Sequence, residues 1–162
     1  MSGSDEIELQ RAGNADKPII ENLIQLYLYD MAGAHPFPVG EDGRYDYGFL
    51  EQFWQHPYLF RVGGEIAGFA LVIDHCPITG QDNRFFMAEF FVMRPYRRQA
   101  VGRMMFRRIC ALHPGKWHVA HQTQNVLADT FWTAAFGSRG VETFGARHDG
   151  ADWILRAFEA YV

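Results

Sequence analysis

Only two cysteines, Cys76 and Cys110, occur in 162 residues. Two thiols cannot build a disulfide scaffold or a four-cysteine zinc site, and free thiols are the default reading. Long apolar runs are also missing. The run "IAGFALVI" is interrupted by Gly68, and no stretch approaches the ~20 apolar residues that a membrane span needs. The opening "MSGSDEIELQ" is polar and acidic, without the marks of a secretory signal, so a cytoplasmic protein with no membrane partner is expected. There is no internal repeat and no low-complexity segment. The remainder is globular in character, 48% hydrophobic and 21% charged. The length suits one domain over residues 1–162, burying roughly two-thirds of the surface its unfolded chain exposes.

Acids are absent from one segment in particular. Between Phe90 and Ala128 there is no Asp or Glu, while Arg94, Arg97, Arg98, Arg103, Arg107, Arg108 and Lys116 give a local charge of +7. The whole chain carries −4, so the rest holds −11. That balance argues against a nucleic-acid partner. A basic block in an acidic protein reads as a specific anion site or as the solvated face of one helix.

Hydrophobic spacing sets the elements. Residues 6–12 read as a short strand. A helix is expected from Lys17 to Ala32, with Asp16 as its N-cap and Ile20, Leu23, Ile24 and Tyr27 as the buried stripe. Residues 33–48 read as a long loop, and a short helix is expected over residues 48–55. Two β-rich runs, residues 58–62 and 65–74, flank Gly63-Gly64 as a hairpin. A strand over residues 84–93 follows. Next comes an amphipathic helix, with Val101, Met105, Ile109 and Leu112 on one side and Arg103 and Arg107 on the other. "KWHVAHQ" reads as a strand, "NVLADTFWTAAFG" as a helix capped by Asn125, and residues 141–147 and 152–158 as two closing strands. The expected fold class is α/β (α+β): a mixed, mostly antiparallel sheet of about seven strands with helices on both faces.

The segment that carries chemistry is "AEFFVMRPYRRQAVGRMMF", residues 88–106. A buried strand leads through a tight Arg/Gln/Gly loop into a helix. Backbone N–H groups at such a helix start have no intrahelical partner, and with the helix dipole they bind phosphate oxygens. Ala100 and Gly102 are small enough for the backbone to approach an anion. Neither GxxxxGK[ST] nor GxGxxG occurs, so this is a phosphate site of another kind.

The strand "EFFV" followed by Arg97-Arg98-Gln99-Ala100-Val101-Gly102 resembles the acyl-CoA pyrophosphate loop of the GNAT acyltransferase superfamily, usually [QR]-x-x-G-x-[GA]. The resemblance extends over the whole chain in element order. The segments "QLYLYD", "GFALV", "AEFFV", "GKW" and "FW" are similar to a bacterial branch of such acetyltransferases. One departure is Ala100 in place of the first motif glycine; its methyl group requires a negative φ.

The resemblance implies acetyl-CoA as donor and a small-molecule or peptide amine as acceptor, attacked directly. It also allows a homodimer. It implies that the amides of Arg98, Gln99, Ala100, Val101, Gly102 and Arg103 hold pyrophosphate, with Arg97 opening the loop. The main chain of Phe91 and Val92 would pair with the pantetheine arm along an edge parted from "KWHVAHQ". Asn125 would contact the cofactor or serve as a plain N-cap. Glu89, a lone carboxylate in an apolar strand, is the candidate general base; a structural carboxylate paired with Arg84 is the alternative. Many superfamily members carry a tyrosine in the last helix as general acid; the matching residue is Trp132. Tyr27 and Asp30 are candidates for acceptor binding, with Tyr29, Tyr45, Tyr47 and Trp54 supplying further aromatics on that side. Ala100 and Trp132 motivate the alternative of a weak or inactive CoA-binding module. Seven histidines, His35, His118 and His121 among them, show no metal-ligand spacing, so no metal is expected.

Overall fold

The computed structural model describes residues 6–34, 36–137 and 140–161. The first five residues of the acidic opening, and His35, lie outside them. The chain runs β1 (Ile7–Arg11), α1 (Lys17–Met31), β2 (His56–Val62), β3 (Glu65–His75), β4 (Asp82–Val92), α2 (Val101–Leu112), β5 (Gly115–Gln122), α3 (Val126–Phe136), β6 (Glu142–His148) and β7 (Ala151–Ala160).

Helix α1 has Pro18 in its first turn, where a missing N–H costs nothing. It buries Ile20, Leu23, Ile24 and Leu28, while Tyr27 is only partly buried. Asp16 stands at the N-cap position, but its carboxylate accepts from the Gly13 N–H at 2.8 Å instead of capping the helix. The short helix expected over residues 48–55 does not form. Residues 50–55 make turns, with one i to i+4 bond from Phe53 N–H to Phe49 O at 2.9 Å. Pro57 disfavours helical geometry at His56, so fewer than two turns are available and the nucleation cost is not recovered.

The seven strands order as β1-β2-β3-β4-β5-β7-β6. All neighbours are antiparallel except β4 and β5, which are parallel. The β2–β3 turn is Gly63-Gly64, both at positive φ. One face packs on α2 and α3 through Phe60, Met105, Ile109, Trp117 and Trp132. The other packs on α1 through Ile20, Leu59, Phe69, Leu71 and Phe91. Each such side chain contributes ~1.5–3 kcal/mol of apolar burial. Cys76 and Cys110 belong to these two different clusters, so the sheet separates the two thiols.

Helix α2 buries Val101, Gly102, Met105, Phe106 and Ile109. Leu112, expected on that stripe, is 58% exposed. It lies at the margin of the buried arc in the last turn, and His113 takes the interior place instead, 2.5 Å from the Tyr58 hydroxyl.

Strands β3 and β4 approach closely at Gly68. A Cβ on Gly68 would stand 2.1 Å from the Phe91 carbonyl oxygen and 2.9 Å from the Phe60 ring. Backbone cannot yield there as a flexible side chain can. Gly68→Ala is expected to destabilise by about 3 kcal/mol or more, read as a lowered Tm. An unchanged Tm would show that β3 and β4 are not so closely apposed.

Candidate functional site

Strand β4 loses its β5 neighbour halfway along. The parallel ladder consists of Phe85 opposite Trp117 and Phe86 opposite His118. The other edge stays paired to β3 as far as Val92 opposite Gly68. The Met93 N–H donates to Ala67 O at 2.8 Å, so Met93 faces β3, and by alternation Phe91 does too. The N–H groups of Phe90 and Val92 therefore turn into the gap between β4 and β5. Of the two residues read from sequence, Val92 presents its backbone to the gap, and Phe91 is committed to β3. Phe90, missed in sequence, takes the second place; strand alternation predicts such a pair, but not which residues face which neighbour.

The loop after β4 is buttressed from α1. Asp30 accepts from Arg97 Nη2 at 2.7 Å and from Arg94 Nε at 3.2 Å. Arg97 Nε donates to the Val92 carbonyl at 2.8 Å, and its guanidinium lies 5.7 Å from the centre of the Phe91 ring. Charge-assisted bonds of this kind hold a loop better than neutral ones. Arg97 thus locks the loop to the strand end, and Asp30, read as an acceptor residue, anchors that lock. Arg98 and Ala100 both adopt left-handed backbone, φ 64° and 61°. The negative φ that Ala100 was expected to need is not what it has; the methyl group is held at a cost of ~1–3 kcal/mol. Left-handed residues in such a loop turn successive amides toward one concavity, the geometry of an anion nest.

The first bond within α2 runs from Met104 N–H to Ala100 O at 3.0 Å, and no side chain caps the helix. The N–H groups of Val101, Gly102 and Arg103 are left over for a ligand or water. Arg98, Gln99 and Arg103 are exposed around them. Gly102 is buried, and a Cβ there would meet the Phe131 ring at 2.9 Å. Its smallness therefore seats α2 against α3. Asn125 caps α3, its side chain accepting from the Ala128 N–H at 3.1 Å. Trp132 is 5% exposed and packs among Phe90, Phe106 and Phe131, with no proton to offer.

Glu89 reaches the α1 face of the sheet through a β-bulge. Leu71 pairs with Glu89 and Val72 with Met87, so Ala88 is the extra residue. Met87 and Phe90 point to the α2–α3 side, Ala88 and Phe91 to the α1 side. The bulge thus places Ala88 and Glu89 together on the α1 side. There the carboxylate faces the hydroxyls of Tyr27 and Tyr47, and no arginine pairs with it among the described residues. Burial pushes its pKa up to about 7, against a smaller opposing effect of the two hydroxyls, which favour the anion. Both tyrosines are held well above the ordinary phenol range, by burial first and the nearby carboxylate second, so they stay protonated.

Among the described residues no group of three or more His, Cys, Asp or Glu could hold a metal ion, and no helix is long and apolar enough to cross a membrane. His118 packs on Phe144 and His121 approaches Asp129, on opposite faces of the sheet.

Residues 22–137 match the model of the acetyltransferase (GNAT) family. No curated protein matches the chain. Solved structures do. A GNAT-family acetyltransferase from Streptococcus agalactiae superposes with a TM-score of 0.72 at 13% identity, covering 96% of each chain. A putative acetyltransferase from Salmonella typhimurium, solved with its cofactor acetyl-CoA, gives 0.59 at 14% identity, covering 97% of this chain and 95% of that one. The ribosomal-protein-S18-alanine N-acetyltransferase from Escherichia coli gives 0.57 at 17%, covering 97% and 96%.

The left-handed backbone at position 100 suits glycine better than alanine. Ala100→Gly is expected to raise stability by up to about 1 kcal/mol, the relieved strain exceeding the added entropy of the unfolded chain. A thermal melt measures this. A lowered Tm would mean that the loop holds Ala100 without strain.

Proposed function

Because the chain belongs to the GNAT acetyltransferase family, we propose that it moves an acetyl group from acetyl-CoA to a primary amine. The observation that carries this reading is the junction of three features on one strand. The β4 edge is open at Phe90 and at the Val92 N–H, unbonded amides and arginines follow it, and a carboxylate with a pKa near neutrality precedes it.

The residues present fit the donor. An extended, amide-bearing arm can hydrogen-bond along a free strand edge in the manner of an added strand. The N–H groups of Val101, Gly102 and Arg103, with Arg98 and Arg103 at the rim, suit a pyrophosphate. Acetyl-CoA supplies a thioester carbonyl open to attack by an amine. A protonated amine has no lone pair to attack with, so one proton must leave first. In this reading Glu89 takes it, because a base with a pKa near 7 accepts and releases protons well at neutral pH. The nitrogen then bonds to the acyl carbon, the carbon–sulfur bond breaks, and the second proton leaving the nitrogen goes to the departing thiolate, which Trp132 cannot protonate.

Two measurements test this. Titration of acetyl-CoA into the purified protein is expected to give a Kd on the order of micromolar. No heat up to millimolar concentration would overturn the donor site. Glu89→Gln is expected to lower kcat/KM at least tenfold, within the roughly 10²–10⁴-fold that a positioned base contributes. The wild-type rate should rise with pH through about 7 as Glu89 loses its proton, and that limb should vanish in the variant. An unchanged pH profile would remove Glu89 from the reaction. Acetyl-CoA bound without thiol release on any amine would favour a binding module instead.

A further inference from the structure

The loop before β2 is strapped to α1 at two places. The Gln25 side chain both accepts from the Tyr45 N–H at 2.8 Å and donates to the Tyr45 carbonyl at 2.9 Å. Such a two-way amide clamp fixes position and orientation together. Further along, Lys17 pairs with Glu51 and lies 5.2 Å from the centre of the Trp54 ring. Tyr47 lies between the two pins. Its hydroxyl is buried and faces the Glu89 carboxylate. The strap holds it there.

Tyr27, two residues beyond Gln25 on α1, brings a second hydroxyl to the same carboxylate. Its ring packs edge-on to Phe69 at 5.8 Å and against Phe91 at 5.6 Å. Three oxygen-bearing groups thus meet beside the Phe69 and Phe91 rings: one carboxylate from β4, one phenol from α1 and one from the strap. A primary ammonium carries three N–H donors and no acceptor.

We propose that Tyr47, carried by the Gln25 strap, completes with Tyr27 and Glu89 a three-oxygen seat for the acceptor's primary ammonium. The inference rests on the acetyl-transfer reading and adds a selectivity to it. Each methyl group on the nitrogen removes one N–H donor and leaves one seat oxygen unsatisfied. Primary amines are therefore preferred over their N-methyl forms. Asp30, the nearest further carboxylate on α1, is held by Arg97 and Arg94 and does not join the seat.

The probes are butylamine and benzylamine, each paired with its N-methyl form. With wild type, kcat/KM should favour the primary member at least tenfold. Tyr47→Phe should raise KM for the primary amine about tenfold, the loss of one hydrogen bond to a charged group, with kcat changed less than threefold. The primary-over-secondary ratio should fall toward one, and KM for acetyl-CoA should not move. Gln25→Leu should reproduce the pattern by freeing the strap; a merely structural role would lower Tm without moving the ratio. An unchanged ratio and KM in Tyr47→Phe would overturn the seat. If wild type acetylates none of the four amines, that counts against transfer to simple amines and not against the seat. The seat is then judged by NMR of tyrosine-labelled protein titrated with butylammonium and benzylammonium. Saturable shifts at Tyr27 and Tyr47, weakened about tenfold in Tyr47→Phe, support it, and no shift overturns it.

Discussion

Strand β4 must satisfy two neighbours at one end and only one at the other. Its parallel ladder with β5 stops at Phe86, and from there to Val92 one backbone edge is open. Open edges usually invite aggregation and are covered or blunted. Here the Phe90 ring stacks on Phe131 of α3, and the Val92 side chain packs by Gly102 at the α2 start, so neighbouring elements flank the edge. The opposite edge must then hold the strand alone. The close approach of Phe91 to Gly68 and the Met93–Ala67 bond do this.

From that strand the remaining parts take their positions. The Arg97 guanidinium ties the loop to both the strand end and α1, which fixes where the free amides of α2 point. Asp30, read from sequence as an acceptor residue, is paired in the structure with Arg97 and Arg94. It neutralises a guanidinium that would otherwise face Phe91 without a counter-charge. The loop also holds left-handed backbone at Arg98 and Ala100, a local cost that the buttress sustains.

The electrostatic character of the site follows from what is kept apart. Most of the basic block surrounds the start of α2; Arg94 and Arg97 reach the α1 side, where Glu89 lies, but Asp30 and the Val92 carbonyl hold them. No arginine therefore draws its pKa down, and burial outweighs the two phenols. The same carboxylate beside a guanidinium would be a permanent anion and a poor base. The pairing of Asp30 with Arg97, Arg156 with Asp129 and Lys17 with Glu51 uses the nearby charges elsewhere.

Much of this was legible in the residues. The strands, three of the helices and the loop-helix motif follow from periodicity and from Gly, Pro and Arg placement, because those signals are local. The helix over residues 48–55 was misread because Pro57 shortens it, and Leu112 because the end of a stripe depends on where the sheet stops. By itself the sequence determined the order of the strands and of the three helices that form, the isolation of Glu89 in an apolar strand and the concentration of arginines after it. Only the tertiary structure decided that the Ala88 bulge turns Glu89 toward Tyr27 and Tyr47, that Phe90 rather than Phe91 faces the gap, and that Asp30 serves Arg97. Those outcomes depend on strand register and on contacts across 20 to 67 positions of chain, such as Gln25 with Tyr45 and Asp30 with Arg97, and neither composition nor spacing encodes register.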